Sequence, residues 1–187
     1  MLYACPTMTS EHKRYPVLVG TREIYKGRVI SVRVDEIEVP AGIVRREVVE
    51  HPGAVVIVPI DAEGRILWIT QHRWAAQREL LELPAGTLEQ GETPEQTARR
   101  ELPEETGFAA ATWQSLGGFY SAPGFCDEYL YAFSASDLTP EDADGDDDED
   151  IEVVPLSLEE SFARIDAGEV EDAKSLAALM LYLRKRG

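Results

Sequence analysis

Residues 86–108 read GTLEQGETPEQTARRELPEETGF, and this stretch carries its own signals for where a helix begins and ends. Thr93 precedes Pro94 and stands three residues before Gln96, which is the pattern of an N-cap with a capping box and proline at the first helical position. Gly107 supplies the left-handed residue that commonly ends a helix. The stretch therefore predicts a helix that starts near Pro94 and stops just before Gly107.

Three carboxylates of the predicted helix fall on one face. Glu101, Glu104 and Glu105 stand at positions i, i+3 and i+4, so their like charges repel unless a cation lies between them. Arg100 neutralises only part of that charge. Oxygen ligands suit hard cations such as Mg²⁺ or Mn²⁺, which also bind water and substrate phosphates. Taken alone, these carboxylates are consistent with a phosphate-processing metal site and equally with an ordinary solvated acidic helix.

A wider pattern around the carboxylates separates these two interpretations. The stretch fits G-X5-E-X7-R-E-U-X-E-E-X-G-U, where U is apolar, with Leu102 and Phe108 in the apolar slots and the fixed slots filled by Gly86, Glu92, Arg100, Glu101, Glu104, Glu105 and Gly107. The chain therefore resembles the Nudix hydrolases. The resemblance implies an α/β fold, an alpha/beta/alpha sandwich with a mixed sheet over residues 51–187, and a metal-dependent cleavage of a diphosphate.

Pro103 occupies a free slot of the pattern but lies well inside the predicted helix. There it removes a backbone donor and clashes with the preceding turn, at a cost of about 3 kcal/mol. We expect a kink or a tightened turn at Pro103; if this distortion moved Glu104 and Glu105 relative to Glu101, metal affinity would fall.

Composition and charge limit the classes of partner. The chain has 187 residues, enough for one domain with a sizeable core and a small extra lobe, and its formal net charge is -17. That charge argues against a nucleic-acid backbone or an anionic membrane as the main partner, since both attract basic surfaces. Two cysteines, no apolar signal core at the N-terminus and no run long enough to span a bilayer predict a cytoplasmic protein.

Upstream of the box, the sequence predicts a small antiparallel sheet. Residues 23–39 alternate apolar and polar, and residues 40–42 form a turn before an extended pattern resumes. We take residues 1–50 as an N-terminal β lobe and residues 51–187 as the hydrolase domain.

The main domain opens with AVVIVPI, residues 54–60, a continuous apolar strand that should be buried on both faces. DAEGR, residues 61–65, reads as a hairpin turn that returns the chain as a second strand. Two further strands and two closing helices follow the box, with patterns at residues 113–121, 128–136, 157–168 and 172–186.

Three stretches outside the box resemble the ADP-ribose pyrophosphatase branch of the Nudix hydrolases. They are QHRW with LLELPAG at residues 71–74 and 80–86, REVVEHPG at residues 46–53, and SAPGFCDE at residues 121–128, in which Pro123 lies about sixteen residues past Gly107. In that branch the N-terminal lobe is exchanged across a homodimer and both subunits contribute to the adenine pocket. The resemblance thus implies a homodimer that acts on a small-molecule nucleotide.

Each of these stretches also has an ordinary interpretation. The Pro123 segment could be a simple turn, and Arg45, Arg46 and Arg73 could solvate strands, although a guanidinium fork suits diphosphate oxygens. Trp74 serves core packing or base stacking equally well. Their joint occurrence around an intact box favours the functional interpretation.

The acidic run at residues 141–153 is mostly expected to be a solvated loop. A calcium-binding EF-hand starting at Asp142 fails, because the sixth position needs glycine and holds Asp147. By resemblance, such a loop lies over the active site of ADP-ribose pyrophosphatases and supplies a glutamate that binds a metal or activates water. Glu149 matches best, with Asp147 and Glu152 as alternatives.

The resemblance also implies roles for the site residues. Glu101, Glu105 and the carbonyl of Ala85 would bind Mg²⁺, with Mn²⁺ as the alternative ion, and Glu104 would hold a further metal or its water. Arg100 would orient the carboxylates, and Glu149 would bind metal or take a proton. Arg73, Glu82 and Pro123 would line the substrate pocket, which Arg45 or Arg46 would reach from the partner subunit.

Two alternatives stay open at this point. The substrate could be another nucleoside diphosphate derivative, such as NADH, a nucleotide sugar or a dinucleoside polyphosphate. The domain could instead be a non-catalytic module that only binds ADP-ribose, although a binding module has no need of the intact carboxylates.

Overall fold

A computed structural model describes residues 16–142 and 151–186 of the chain. The chain divides into two compact units, with the boundary between Val49 and Glu50. We call them the N-terminal unit and the C-terminal unit and describe each by itself.

The N-terminal unit is a three-stranded sheet in the order β1-β2-β3. Its strands are β1 (Val17–Lys26), β2 (Ser31–Val39) and β3 (Gly42–Glu50). β1 and β2 are antiparallel, as the alternating sequence pattern predicts, with two irregularities of register along the pair. Among the described residues before Ala54, no apolar side chain is buried. This sheet therefore has no hydrophobic core of its own in the part of the chain described.

The C-terminal unit is built on a four-stranded sheet in the order β7-β4-β9-β8. β4 (Ala54–Pro59) runs parallel to β9 (Tyr129–Pro140), while β7 (Ala85–Thr87) and β8 (Phe108–Tyr120) flank them in antiparallel pairing. Every residue of β4 is buried. This observation matches the expectation from its continuous apolar sequence.

A second sheet of the same unit has the order β10-β5-β6. It consists of β5 (Ile66–Arg73), β6 (Arg78–Glu82) and β10 (Ile151–Leu156). The predicted turn after β4 forms, and the Asp61 amide donates to the Arg65 carbonyl at 2.9 Å. The chain returns as β5, as predicted, but the pairing stops at an isolated antiparallel bridge between Ile60 and Ile66, because β4 and β5 then enter different sheets.

Helices cover both faces of the four-stranded sheet. α1 (Pro94–Thr106) packs Ala98 and Leu102 against Val55, Ile57 and Phe133 on one face. On the other face, α3 (Ala173–Arg186) contributes Ala178 and Leu179 to a larger core that includes Trp68 of the second sheet. α2 (Leu158–Asp166) adjoins that core, where its Ser161 hydroxyl accepts a hydrogen bond from the Trp68 indole at 2.9 Å. The predicted alpha/beta/alpha arrangement with a mixed sheet is confirmed.

Part of the predicted acidic loop is regular structure. Residues 151–153 belong to β10, whose Ile151 pairs with Gln71 of β5. The remainder, from residue 143 to residue 150, lies outside the described residues.

Candidate active site

Local capping chemistry fixes the position of α1, which carries most of the candidate residues. The Thr93 hydroxyl accepts from the Gln96 amide at 3.3 Å, and the Gln96 side chain accepts in return from the Thr93 amide at 2.9 Å. At the other end, Gly107 adopts the left-handed conformation with φ 73°, and its amide donates to the Pro103 carbonyl at 2.8 Å. The helix thus begins and ends where its sequence predicts.

Arg100 is the centre of the acidic group on α1. Its Nη1 donates to Glu101 Oε1 at 2.7 Å and to Glu104 Oε2 at 3.0 Å. Its Nε and Nη2 donate to the two carboxylate oxygens of Glu92 at 3.0 and 3.1 Å. A two-bond pair of this kind fixes the plane of the guanidinium. Arg100 therefore links Glu101 and Glu104 of α1 to Glu92, which precedes the helix.

The Glu92 carboxylate is held in its ionised form. Hydrogen bonds from Arg100, with further ones from the Thr97 hydroxyl and the Glu89 amide, lower the pKa of Glu92 to about 2 against partial burial, which acts to raise it. Conversely, the bonds to Glu92 raise the pKa of Arg100 above its ordinary value. Both groups thus stay charged throughout the neutral range.

The short strand β7 lies directly beside these carboxylates. Glu105, which is buried, accepts a hydrogen bond from the Ala85 amide at 2.8 Å. Gly86, which follows Ala85, lies so close to Glu101 that a Cβ at residue 86 would be 1.8 Å from the Glu101 Cδ. Thr87 presents its carbonyl to Arg100 Nη2 at 3.3 Å. Residues 85–87 and α1 therefore form one interlocked acidic site.

The oxygen ligands of this site suit a hard cation, although in this structure Glu101 and Glu104 are hydrogen-bonded to Arg100. Within residues 16–142 and 151–186, no group of three His, Cys, Asp or Glu side chains is arranged to hold a metal. The guanidinium of Arg100 lies between Glu101 and Glu104 and bonds to both. The donors are nevertheless carboxylate and carbonyl oxygens, which are the ligands that Mg²⁺ and Mn²⁺ prefer.

Pro103 does not interrupt α1. The helix continues as regular α-helix from Pro94 to Thr106 with Pro103 inside it, so the expected tightened turn is absent from this helix. After the proline, the Thr106 hydroxyl donates to the Leu102 carbonyl at 2.5 Å and the Gly107 amide to the Pro103 carbonyl. The contacts of the box residues Glu104 and Glu105 described above form with the proline in place.

Two predicted substrate residues, Arg73 and Glu82, contact each other. Arg73 donates to Glu82 through Nε at 3.1 Å and Nη2 at 2.7 Å. Glu82 is only 1% exposed and also pairs with Lys174 of α3, whose ammonium group contacts Asp172 at 3.0 Å. The buried carboxylate of Glu82 therefore orients the Arg73 guanidinium, while the Arg73 side chain is partly exposed to solvent.

Sequence reasoning missed the α3 contribution to this network. Lys174 and Ser175 lie 92 residues after their partners Glu82 and Leu83. The pattern of residues 172–186 indicated a helix with apolar periodicity, but it carried no signal for the strand end that the helix would contact. Asp172, which accepts from the Ser175 amide at 2.9 Å, could have been identified only as an N-cap.

The other predicted residues lie in separate places. Pro123 lies in a turn in which the Phe125 and Cys126 amides donate to the Ala122 carbonyl at 3.1 and 2.9 Å. Trp74 is not a core residue, since it is 78% exposed at the tip of the β5–β6 hairpin.

The predicted arginines of the N-terminal unit lie on β3. Arg45 pairs with Glu36 at 2.9 Å, and Arg46 Nη1 donates to the Arg45 carbonyl at 2.9 Å.

Of the three candidate loop acids, only Glu152 belongs to the described residues. Glu149 and Asp147 lie outside the described residues. Glu152 is exposed on β10, where it pairs across the sheet with Thr70. Glu149 therefore stays a prediction from resemblance.

No helix within residues 16–142 and 151–186 combines the length and the apolar character required to cross a membrane.

Comparisons with known proteins agree with this fold and site. The NUDIX domain family matches residues 49–179. An ADP-ribose pyrophosphatase from Bacillus subtilis (strain 168) is 40% identical over 164 residues, which cover 86% of this chain and 89% of that protein. A methanol dehydrogenase activator from Bacillus methanolicus is 38% identical over 164 residues, with the same two coverages, 86% and 89%. A crystal structure of an ADP compounds hydrolase matches with a TM-score of 0.79 and 26% identity, covering 92% of this chain and 96% of that one.

The chain belongs to the NUDIX family. It is a hydrolase that acts on pyrophosphate bonds, and members of this family generally require divalent metal ions.

Proposed function

We propose that this protein hydrolyses ADP-ribose to AMP and ribose 5-phosphate. The observation that carries the proposal is the cluster of Glu92, Glu101 and Glu104 around Arg100, directly beside the strand that contains Gly86. The relatives support the substrate, since one is named an ADP-ribose pyrophosphatase and another an ADP compounds hydrolase.

Glu101, Glu105 and the Ala85 carbonyl would hold Mg²⁺, with Glu104 holding a second ion or its water. Mn²⁺ has the same preference for oxygen ligands and would serve in its place. A bound divalent ion polarises the diphosphate and lowers the pKa of water. The chain's own contribution is to gather these oxygens: Arg100 orients Glu101 and Glu104, and the Ala85 amide orients Glu105.

In the proposed reaction, the oxygen of a water molecule attacks one phosphorus atom of the diphosphate. The bond from that phosphorus to the bridging oxygen breaks, and the second phosphate leaves. The proton of the water passes to a carboxylate, for which we propose Glu149. Glu152 and Asp147 are the alternatives in the same acidic run.

Arg73, supported by Glu82, is the proposed anchor for the diphosphate oxygens, and the Pro123 turn is the proposed wall of the nucleoside pocket. A guanidinium already oriented by a buried carboxylate loses little freedom when it binds an anion. The partner subunit's copy of Arg45 or Arg46 would complete the pocket.

We also propose a homodimer in which residues 1–50 are the exchanged element. Support comes from the N-terminal unit, whose apolar side chains between 38% and 65% exposed are Val17, Leu18, Val19, Ile24, Tyr25, Val29, Ile30 and Ile43. Exposed apolar side chains in this number on one small sheet favour an interaction surface. A cytoplasmic location is proposed from the low cysteine content of the sequence.

The test is product analysis with ADP-ribose, NADH and a nucleotide sugar side by side in the presence of Mg²⁺. Release of AMP and ribose 5-phosphate from ADP-ribose, at a kcat/KM at least tenfold above the other two, is the expected result. Faster turnover of NADH or the sugar nucleotide would move the proposal to that substrate. Tight binding of ADP-ribose without turnover of any of the three would favour a binding module.

A further inference from the structure

The chain segment that leads from β6 into β7, residues 83–85, is held from two sides. On one side, the Ala85 amide donates to Glu105 of α1. On the other side, the Leu83 amide donates to the Ser175 hydroxyl of α3 at 2.7 Å. Between them, the Pro84 carbonyl accepts from the Ile57 amide of β4 at 2.8 Å. Three successive residues are thus fixed by three different elements.

Ser175 is built into α3 in a way that fixes its hydroxyl. The side chain is 0% exposed, and its hydroxyl donates to Asp172 Oδ2 at 2.5 Å while it accepts from Leu83. The same Asp172 oxygen accepts the Ser175 amide, so the first turn of the helix holds both ends of this residue. The direction of the hydroxyl is therefore determined, and it presents an acceptor to the Leu83 amide.

A displacement at Leu83 would be passed along the segment. Leu83 is fully buried, and the residue that follows it, Pro84, has its φ angle fixed by the pyrrolidine ring. Ala85, the next residue, provides the carbonyl proposed as a metal ligand and the amide that orients Glu105. Because residues 83–85 form a stiff segment, a movement of α3 at Leu83 would displace Ala85 and, with it, the carboxylate site.

We propose that the N-terminal end of α3 with its preceding residue, residues 172–175, is a positioning element of the metal site, with Ser175 as the residue that sets the segment containing Ala85. The inference rests on the metal site of the proposed function but does not depend on which nucleotide is hydrolysed. Ser175 acts through Leu83 and Ala85, in the way that residues behind a metal ligand tune the affinity of the ion.

A matched control is available in α2. Ser161 is also 0% exposed, and its hydroxyl accepts one buried N–H from the sheet, that of the Trp68 indole. Replacing either serine by alanine removes one acceptor and leaves one buried donor without it. Both variants should lose stability, but the Ser161 hydroxyl forms its hydrogen bonds with Trp68 and Ser157 and not with residues 83–85.

The experiment measures Mn²⁺ binding to wild type, Ser175→Ala and Ser161→Ala by paramagnetic resonance without nucleotide, together with urea unfolding. Ser175→Ala should bind Mn²⁺ about tenfold more weakly, the lower end of the range for residues that act behind the ligands. The Mn²⁺ affinity of Ser161→Ala should remain within about twofold of that of wild type. Its urea unfolding midpoint should nevertheless fall by about as much as that of Ser175→Ala, because each variant loses one buried hydrogen bond.

Equal Mn²⁺ affinity in wild type and Ser175→Ala would overturn the proposal, because Ser175 would then serve stability alone. If Ser175→Ala does not fold, Asp172→Asn replaces it. Asparagine keeps an oxygen acceptor for the Ser175 amide, but its neutral oxygen forms a weaker hydrogen bond with the Ser175 hydroxyl than the carboxylate does. Weaker Mn²⁺ binding by that variant supports the proposal, and unchanged binding overturns it. Wild-type protein that binds Mn²⁺ but leaves ADP-ribose intact would contradict the proposed substrate and not this inference.

Discussion

The carboxylate of Glu101 occupies the space where a side chain at Gly86 would begin. A Cβ at residue 86 would lie 1.8 Å from Glu101 Cδ and 2.0 Å from its Oε1. Gly86→Ala must therefore displace Glu101 from Arg100 and from the proposed metal site. We expect Mn²⁺ affinity to fall at least about tenfold while the far-ultraviolet circular dichroism spectrum is unchanged.

Gly124→Ala is the control for this prediction, since a Cβ at residue 124 would meet nothing within 4 Å. Its Mn²⁺ affinity should equal that of wild type. Normal metal binding by Gly86→Ala would mean that Glu101 is not a ligand.

The low pKa of Glu92 makes the stability of the site depend on pH. Arg100 holds the pKa of Glu92 at about 2, below its ordinary value of 4.5, so the ionised form stabilises the fold above pH 4.5 and this contribution is lost as pH falls toward 2. Glu92→Gln should lower the unfolding free energy by about 1–2 kcal/mol at pH 7, since partial exposure weakens the pair. Urea titrations at pH 7, 5, 3.5 and 2.5 should show this difference shrinking steadily with acidification.

Glu95→Gln provides the comparison, because Glu95 forms an exposed pair with Arg99 on the same helix. Its effect should be below about 0.5 kcal/mol at every pH. A Glu92→Gln effect that stays constant down to pH 2.5 would be incompatible with the lowered pKa.

Arg73 depends on Glu82 for its orientation. A change at Glu82 should therefore affect substrate binding and not the chemical step. Glu82→Gln removes the charge that both Arg73 and Lys174 contact, and it should raise KM for ADP-ribose about tenfold, or 1.4 kcal/mol, with kcat changed less than about threefold. Steady-state kinetics measure both constants. Glu79→Gln, an exposed change on the same strand, should alter neither. A fall in kcat with an unchanged KM would assign Glu82 to the chemical step instead.

Pro103 should be dispensable for activity. The box residues make their contacts with the proline in place, so Pro103→Ala should keep the metal affinity and kcat within about twofold of wild type. Isothermal titration with Mn²⁺ and initial rates measure the two quantities. A gain of tenfold or more in either would show that the proline distorts the site.

The features that local sequence determines were predicted correctly. Thr93, Gln96 and Gly107 act within a few residues of themselves, and α1 begins and ends as they indicate. The continuous apolar run of β4 likewise predicted its complete burial. The seven fixed residues of the box identified the NUDIX family, which the comparison over residues 49–179 confirms.

Features that depend on distant parts of the chain were not predictable in this way. The turn at Asp61 is local and forms, but the choice of sheet for the strands on either side depends on β9 and β10, far along the sequence. The bond from Leu83 to Ser175 spans 92 residues and involves a serine that is common in helix first turns. Such residues acquire their role from tertiary packing rather than from a motif.

In the proposed function, hydrolysis of ADP-ribose requires a divalent ion held by the carboxylates of α1. The most direct measurement is the rate of AMP release by wild type and Glu105→Gln, with saturating Mg²⁺, with excess chelator, and after Mg²⁺ is restored. We expect that the chelator abolishes wild-type turnover, that Mg²⁺ restores it, and that Glu105→Gln stays at least about a hundredfold slower at saturating Mg²⁺. Turnover that survives the chelator, or an unimpaired Glu105→Gln enzyme, would contradict this proposal.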